Sequence, residues 1–229
     1  MSKPENTQIQ RVPANRDGYL KITEIFLSLQ GEARGSGFPT SFIRLTGCPL
    51  RCTYCDSEYA FFGGQWQSFE EILARVKDNG VSHVCVTGGE PLAQKRCLQL
   101  LTLLCDAGYR VSLETSGAID ISTVDTRVSK VVDLKTPDSG ECERNLWSNL
   151  EYITASDQIK FVINSRGDFD WAVEQLHKYE LNTLTEVLFS PVWSTVNPTQ
   201  LADWIIADRV PVRFQLQLHK ILWGDEPGR

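Results

Sequence analysis

Three cysteines, Cys48, Cys52 and Cys55, fall within eight residues. Thiolates are soft ligands for zinc or for iron-sulfur clusters, and a short loop can wrap three of them around one metal group. A conventional electron-transfer cluster takes four cysteines, so a triplet leaves one iron without a protein ligand. An open coordination position marks a catalytic metal site, whereas a closed shell marks a structural one. The competing readings are a structural zinc ion with a remote fourth ligand such as His83, or thiols that merely pack in a core. Three in so short a run argue against packing. Cys85, Cys97, Cys105 and Cys142 are scattered singly, and a lone cysteine often behaves as a small buried hydrophobe, so none of these four receives a role.

Other runs offer chemistry too. In Thr87-Gly-Gly-Glu-Pro91 the glycines let the backbone approach a ligand closely, and Glu90 supplies a carboxylate able to hold an ammonium group. By itself such a run is more often a plain turn. Glu114-Thr-Ser-Gly117 presents a carboxylate and two hydroxyls suited to ribose oxygens, or to capping a helix. Arg44 is set within the apolar run Phe42-Ile-Arg-Leu45. A charge there is drawn into a buried setting and needs a partner. That partner is either an internal salt bridge or a ligand carboxylate, which a guanidinium grips through two parallel hydrogen bonds.

A repeating βα chain would position these runs. Strands are predicted at Lys21–Leu27, Phe42–Leu45, His83–Thr87, Arg110–Thr115, Lys130–Leu134, Gln158–Ile163, Glu186–Ser190 and Val212–Leu218, all rich in β-branched or apolar residues. The stretch Phe69–Asn79 carries apolar residues at Phe69, Ile72, Leu73 and Val76, the spacing of one buried helix face. Ser68 and Glu71 form a capping box at its start, and Gly80 suits its stop. Further helices are predicted around Leu98, Leu101 and Leu104, around Val173 and Leu176, and around Leu201, Trp204 and Ile205. Crossover-length links between strands call for a parallel arrangement with helices packed outside. The expected fold class is α/β, a shortened open (β/α) barrel with about six parallel strands, because a full eightfold barrel takes about 250 residues. Ligands of such folds sit at the C-terminal ends of the strands, and the cysteine loop follows one of those ends at Leu45.

At 229 residues the chain suits a single domain spanning 1–229, with residues 1–18 expected to form a flexible N-terminal arm. A formal net charge of -6 disfavours a broad grip on phosphates, so a small-molecule substrate is expected and no direct nucleic-acid contact. The polar N-terminal stretch lacks the apolar region of a signal peptide, and no apolar run approaches the roughly 18 residues of a membrane span. A cytoplasmic protein with no membrane partner is therefore expected. Seven cysteines in a reducing compartment favour metal binding over disulfides.

The C-x3-C-x2-C spacing, with Tyr54 just ahead of the last cysteine, resembles the signature of the radical S-adenosylmethionine superfamily, and the run Thr87 to Pro91 agrees with it. The resemblance narrows, over nearly the whole chain from Glu24, to the 7-carboxy-7-deazaguanine synthase family. It is carried by Phe26-Leu-Ser-Leu-Gln-Gly-Glu32, Phe42-Ile-Arg-Leu-Thr-Gly-Cys48, Cys55-Asp-Ser57, Glu114-Thr-Ser-Gly117, Ser190-Pro191 and His219-Lys220. It implies a [4Fe-4S] cluster on Cys48, Cys52 and Cys55, S-adenosylmethionine (SAM) at the open iron, and a magnesium ion (Mg2+) on Ser57. It further implies cofactor contacts from Tyr54, Cys55 and Asp56 to the adenine, from Gly89 and Glu90 to the methionine, and from Thr115 and Ser116 to the ribose. Later contacts would come from Ser190, Pro191, Val192 and Trp193, and from Asp133, Leu134 and Lys135, where many members instead carry Ser-Pro-Lys. Leu29, Gln30, Gly31, Arg44 and Thr87 match positions that hold the pterin substrate, 6-carboxy-5,6,7,8-tetrahydropterin, whose carboxylate suits Arg44. The implied reaction contracts the pterin ring with loss of ammonia, on the route to queuosine and related modified bases. Implied partners are a reducing electron donor such as flavodoxin or ferredoxin and, as a homodimer, a second copy of the chain. A glycyl-radical activating enzyme shares the cysteine spacing, but Gln30-Gly31-Glu32 and Arg44 oppose it. A non-catalytic iron-sulfur or zinc-binding module is opposed by the open iron and by Gly88-Gly89-Glu90. The tail from Trp223 to Arg229 extends past the His219-Lys220 match and is given no role.

Overall fold

The computed structural model describes residues 17–224, 226 and 228, so the expected N-terminal arm lies almost wholly outside the described residues. Two antiparallel strands come first, β1 (Tyr19–Leu29) and β2 (Pro39–Leu45). Beyond the cysteine loop, β3 (Gln65–Ser68) pairs antiparallel with β1 and leads into α1 (Phe69–Asp78). Then follow β4 (His83–Gly88), α2 (Cys97–Asp106), β5 (Arg110–Thr115), β6 (Ser129–Asp133) and β7 (Gln158–Ile163). The last elements are α3 (Arg166–Lys178), α4 (Leu181–Leu184), β8 (Glu186–Pro191), α5 (Pro198–Asp208), β9 (Arg213–Phe214) and α6 (Leu218–Trp223). All these strands form one sheet in the order β3-β1-β2-β4-β5-β6-β7-β8-β9. From β2 onward every pairing is parallel. Six full strands and a two-residue stub therefore make the partial barrel that the crossover lengths predict.

Local signals hold where they are strong. α1 starts in the predicted capping box, in which Ser68 Oγ accepts from Glu71 N and Glu71 Oε2 accepts from Ser68 N. Its Ile72 and Val76 pack with Ile43, Leu45, Val84 and Val86 in the layer between strands and helices. Two strand expectations need correction. Lys21–Leu27 lies in β1, which is antiparallel to β2 and so stands outside the parallel series. Val212–Leu218 is a strand only at Arg213–Phe214, and Leu218 begins α6. Past Phe214 the chain leaves β8 for the loop after β1, where Leu218 N meets Gly31 O and the Gln215 and Gln217 side chains are held. Gln215 Oε1 accepts from Ala33 N at 2.8 Å, and Gln217 Nε2 donates to Glu32 Oε1 at 2.7 Å. The short polar strand β3 has no apolar alternation to signal it. Between β6 and β7 the chain uses 3-10 turns, at Pro137–Ser139, Cys142–Arg144 and Trp147–Tyr152, where an α-helix would be the rule.

Strand side chains alternate between two faces. While Ile43, Val86, Leu113, Val132 and Ile159 pack outward in the core, their neighbours Arg44, Thr87, Glu114, Asp133 and Lys160 face inward, one on each of β2, β4, β5, β6 and β7. The loop between β1 and β2 folds into this interior. Ala33 packs against Val131 and Leu188, Arg34 N donates to Gln158 Oε1 at 2.7 Å, and Leu218 N donates to Gly31 O at 2.9 Å. The antiparallel edge is thereby tied to β7, β8 and the C-terminal segment.

Candidate active site

The inward polar residues line a cavity of 720 Å³ at the C-terminal ends of the parallel strands, inside the range of about 300–1,000 Å³ usual for small-molecule sites. Cys48, Cys52 and Cys55 reach it from the loop after β2, and among the described residues no fourth cysteine lines it. Backbone and side-chain bonds hold that loop in shape. Arg51 Nη1 donates to Cys48 O at 2.8 Å and Leu50 O at 2.6 Å, Thr53 Oγ1 donates to Asp138 O at 2.6 Å, and Gly47 N donates to Ala60 O at 2.7 Å. Burial pushes all three thiols up, Cys52 to about 11, while the Lys135 ammonium draws each of them down. Thiols must lose their protons to bind a metal, so bound iron would supply the positive charge that Lys135 supplies only in part. His83, the remote zinc ligand considered from sequence, begins β4 at its far end and stacks on Phe38. Among the described residues no three His, Cys, Asp or Glu side chains stand close enough to hold one ion together.

The Gly88-Gly89 turn abuts the cysteine loop. A Cβ on Gly89 would come within 2.5 Å of Gly47 O and 2.8 Å of Cys48 Cβ, so only glycine fits between the two loops. Glu90 is engaged by the protein itself. Its carboxylate is fully buried and accepts from Leu92 N, Thr115 Oγ1, Ser116 N and Ser116 Oγ, at distances from 2.5 to 3.0 Å. It is not among the residues lining the cavity and clamps the end of β5 to the Gly-Gly turn, its buried carboxylate satisfied by four protein donors. Gly89, Thr115 and Ser116 remain on the cavity wall.

The other expected cofactor positions divide in the same way. Tyr54, Cys55, Asp56, Ser57, Asp133, Lys135, Val192 and Trp193 line the cavity, whereas Leu134, Ser190 and Pro191 are buried behind it. Tyr54 is fixed by its hydroxyl, which lies 3.0 Å from Thr136 Oγ1 and 3.3 Å from Val162 O. Ser57 Oγ donates to Asp56 Oδ1 at 2.9 Å, so a hydroxyl and a carboxylate stand together as hard oxygen donors of the kind magnesium takes.

On the expected substrate side, Leu29, Gln30, Arg44 and Thr87 line the cavity. Gly31 contributes through its bareness: a Cβ there would fall 2.0 Å from His219 Nδ1. Arg44 Nε donates to Glu24 Oε1 at 2.7 Å, and its guanidinium carbon lies 5.8 Å from the Phe26 ring centroid and 5.7 Å from that of Tyr59. Gln30 Nε2 and Thr87 Oγ1 each donate to the Glu114 carboxylate at 3.3 Å. Burial pushes the Glu114 carboxyl up, and the Glu32 charge adds to that push against Lys160 and Arg44. Glu32 behaves oppositely. Burial works against its charge, yet Lys160 Nζ at 2.6 Å and Gln217 hold it down to about 2.

Lys160, Gln217 and Asn164 line the cavity without having been singled out from sequence. Lys160 carried a usable signal, a charge inside the apolar run Gln158-Ile-Lys-Phe-Val-Ile163, the same anomaly that marks Arg44. Gln217 and Asn164 have none, since polar loop residues are the norm.

Residues 42–139 match the family model described as the Radical SAM superfamily. The chain is 41% identical over 222 residues to the 7-carboxy-7-deazaguanine synthase of Koribacter versatilis, an overlap of 90% of this chain and 98% of that protein. It is 40% identical over 210 residues to the protein of the same name from Chlorobaculum tepidum, covering 90% of this chain and 96% of that one. The crystal structure of QueE from Escherichia coli is similar with a TM-score of 0.72 at 26% identity, covering 88% of this chain and 95% of that chain.

Proposed function

The chain belongs to the 7-carboxy-7-deazaguanine synthase family of radical SAM enzymes, and from this membership we infer that it converts 6-carboxy-5,6,7,8-tetrahydropterin to 7-carboxy-7-deazaguanine with loss of ammonia. The observation that carries the reading is one cavity walled on one side by three thiols on a preshaped loop and on the other by Arg44, Thr87, Glu114 and Lys160.

The residues fit the family's cofactors. Cys48, Cys52 and Cys55 would hold three irons of a [4Fe-4S] cluster, with SAM on the fourth and Mg2+ at the Ser57 hydroxyl. When bound, these groups supply a carbon radical able to take a hydrogen atom from the pterin. The protein's part is positioning and exclusion of water. Gly89 lets a ligand lie against the backbone beside Cys48, and Thr115 and Ser116 offer hydroxyls to a ribose. Tyr54, held from behind by Thr136, presents a fixed wall to the adenine with Asp56, while Val192 and Trp193 close a further side. Asp133 and Lys135 form an ion pair at 3.0 Å on the cavity wall that would meet the polar end of the cofactor. Glu90 acts at one remove, fixing the turn and the end of β5.

For the substrate, Arg44 offers a guanidinium to the carboxylate, and Gln30 and Thr87 frame the ring with Leu29. The Glu114 carboxyl, which accepts from Gln30 and Thr87, offers the pterin ring a further hydrogen-bonding group. A one-electron donor such as flavodoxin or ferredoxin and a homodimeric assembly complete the reading, within a single domain. Among the described residues no helix is long and apolar enough to cross a membrane.

Anaerobic reconstitution with iron and sulfide, followed by addition of SAM, reductant, Mg2+ and the carboxytetrahydropterin, tests this function. The expected result is 7-carboxy-7-deazaguanine by mass spectrometry. SAM cleavage with no such product would point to a glycyl-radical activating enzyme, and bound zinc without a cluster would overturn the reading.

A further inference from the structure

β1 carries a register shift between Ile22 and Glu24 as it pairs with β2. The bulge has a consequence for facing. Ile22 and Ile25 both pack outward in the core, while Phe26 lines the cavity. In an unbroken strand Ile22 and Glu24 would share a face, and the extra residue turns Glu24 to the inner side, directly opposite Arg44. There Glu24 Oε1 accepts two hydrogen bonds, from Arg44 Nε at 2.7 Å and from Tyr59 OH at 2.9 Å. Tyr59 arrives from the other direction, on the 3-10 turn Glu58–Ala60 that follows the cysteine loop, and its ring centroid lies 5.7 Å from the Arg44 guanidinium carbon, with Phe26 at 5.8 Å on its own approach. Arg44 Nη1 and Nη2 have no hydrogen-bond acceptor among the described residues.

We propose that Glu24 and Tyr59 are positioning residues that orient Arg44 for a ligand carboxylate and link that orientation to the order of the cysteine loop. The proposal rests on the pterin reading above. Glu24 engages the Nε edge of the guanidinium and the two rings restrain its plane, which leaves the terminal nitrogens aimed as a two-pronged donor. Fixing a flexible arginine before the ligand arrives removes an ordering cost from binding. Because Tyr59 follows Cys55 by only four residues, a disordered cysteine loop would release one arm of the bracket, so carboxylate capture would depend on a formed loop.

Equilibrium binding to the reconstituted, SAM-loaded protein tests this with two probes, 6-carboxytetrahydropterin and 6-hydroxymethyltetrahydropterin, which lacks the carboxylate. Glu24→Ala should weaken the carboxylate probe about tenfold, the scale of one charge-assisted hydrogen bond, and leave the hydroxymethyl probe and the cluster's EPR signal unchanged. Glu24→Gln keeps an acceptor for Nε and should restore the affinity, and Tyr59→Phe should fall between. Removing the cluster from the wild type should cost the carboxylate probe more than the other. The proposal is overturned alone if the wild type discriminates between the probes and Glu24→Ala discriminates equally, or if Glu24→Gln matches Glu24→Ala, which would make charge and not orientation the cause. If the wild type binds both probes alike, the assignment of Arg44 to the carboxylate falls and takes the bracket with it.

Discussion

Individual side chains in this cavity are set by burial and by the one neighbour that opposes it. Arg44 shows why a charge in a strand is diagnostic: the guanidinium finds a partner on one edge only, leaving two nitrogens for a ligand. Arg44→Lys retains the charge and loses the planar fork, so KM for the carboxypterin should rise roughly tenfold while KM for SAM is unchanged, as steady-state kinetics would show. Glu32 makes a pH-dependent contribution whose sign follows from its lowered pKa of about 2. A carboxyl held below its unfolded value stabilises the fold above that value, about 4.3, and the stabilisation drains away as pH falls from there toward 2. Urea midpoints measured from pH 7 to pH 3 should therefore drop steeply for the wild type. Glu32→Gln should start lower at pH 7, by about 3–5 kcal/mol for a broken buried pair, and depend less on acid.

At the scale of elements, two loops meet. The cysteine loop and the Gly-Gly turn touch so closely that the backbone of one is the wall of the other. Gly89→Ala would push on Gly47 O and Cys48 Cβ, an overpacking worth about 1–3 kcal/mol. Its effect should appear in iron content after reconstitution, reduced relative to the wild type, with far-UV dichroism unchanged. Unaltered iron loading in that variant would show that the contact relaxes harmlessly. Much of this scale is legible in sequence. The cysteine spacing, the Gly-Gly run and the Ser68–Glu71 capping box are short-range features, and each appears in the structure as spacing alone requires. The Val212–Leu218 strand fails for a long-range reason, since glutamines nearly two hundred residues distant from the β1 loop in sequence are drawn to it by hydrogen bonds.

Across the whole molecule, the loop after β1 acts as an internal strut. It carries Gln30 and Glu32 into the barrel, meets Lys160 on β7, and receives the C-terminal segment through Gly31 and His219. Gly31→Ala places a methyl group against the His219 ring and should displace the C-terminal segment. The expected outcome is a lower melting temperature and weaker pterin binding with SAM affinity retained, since the wall proposed for SAM lies on the cysteine-loop side. Calorimetry and equilibrium binding measure the two effects on the same sample, and equal loss of both ligands would show a general collapse.

The gathering of three cysteines at one cavity, the βα rhythm and the family could be read from the sequence because each is written in residues adjacent along the chain, where spacing dictates geometry. The direction in which Glu90 points could not, because a carboxylate turns toward whichever donors lie nearest, and Thr115 and Ser116 are brought to it only by the pairing of β4 with β5. The same holds for Lys160 with Glu32, and for Glu24 with Arg44 across the bulge. The three cysteines were determined by the chain itself; the polar wall facing them was decided by folding, which alone gathers one inward side chain from each of five neighbouring strands.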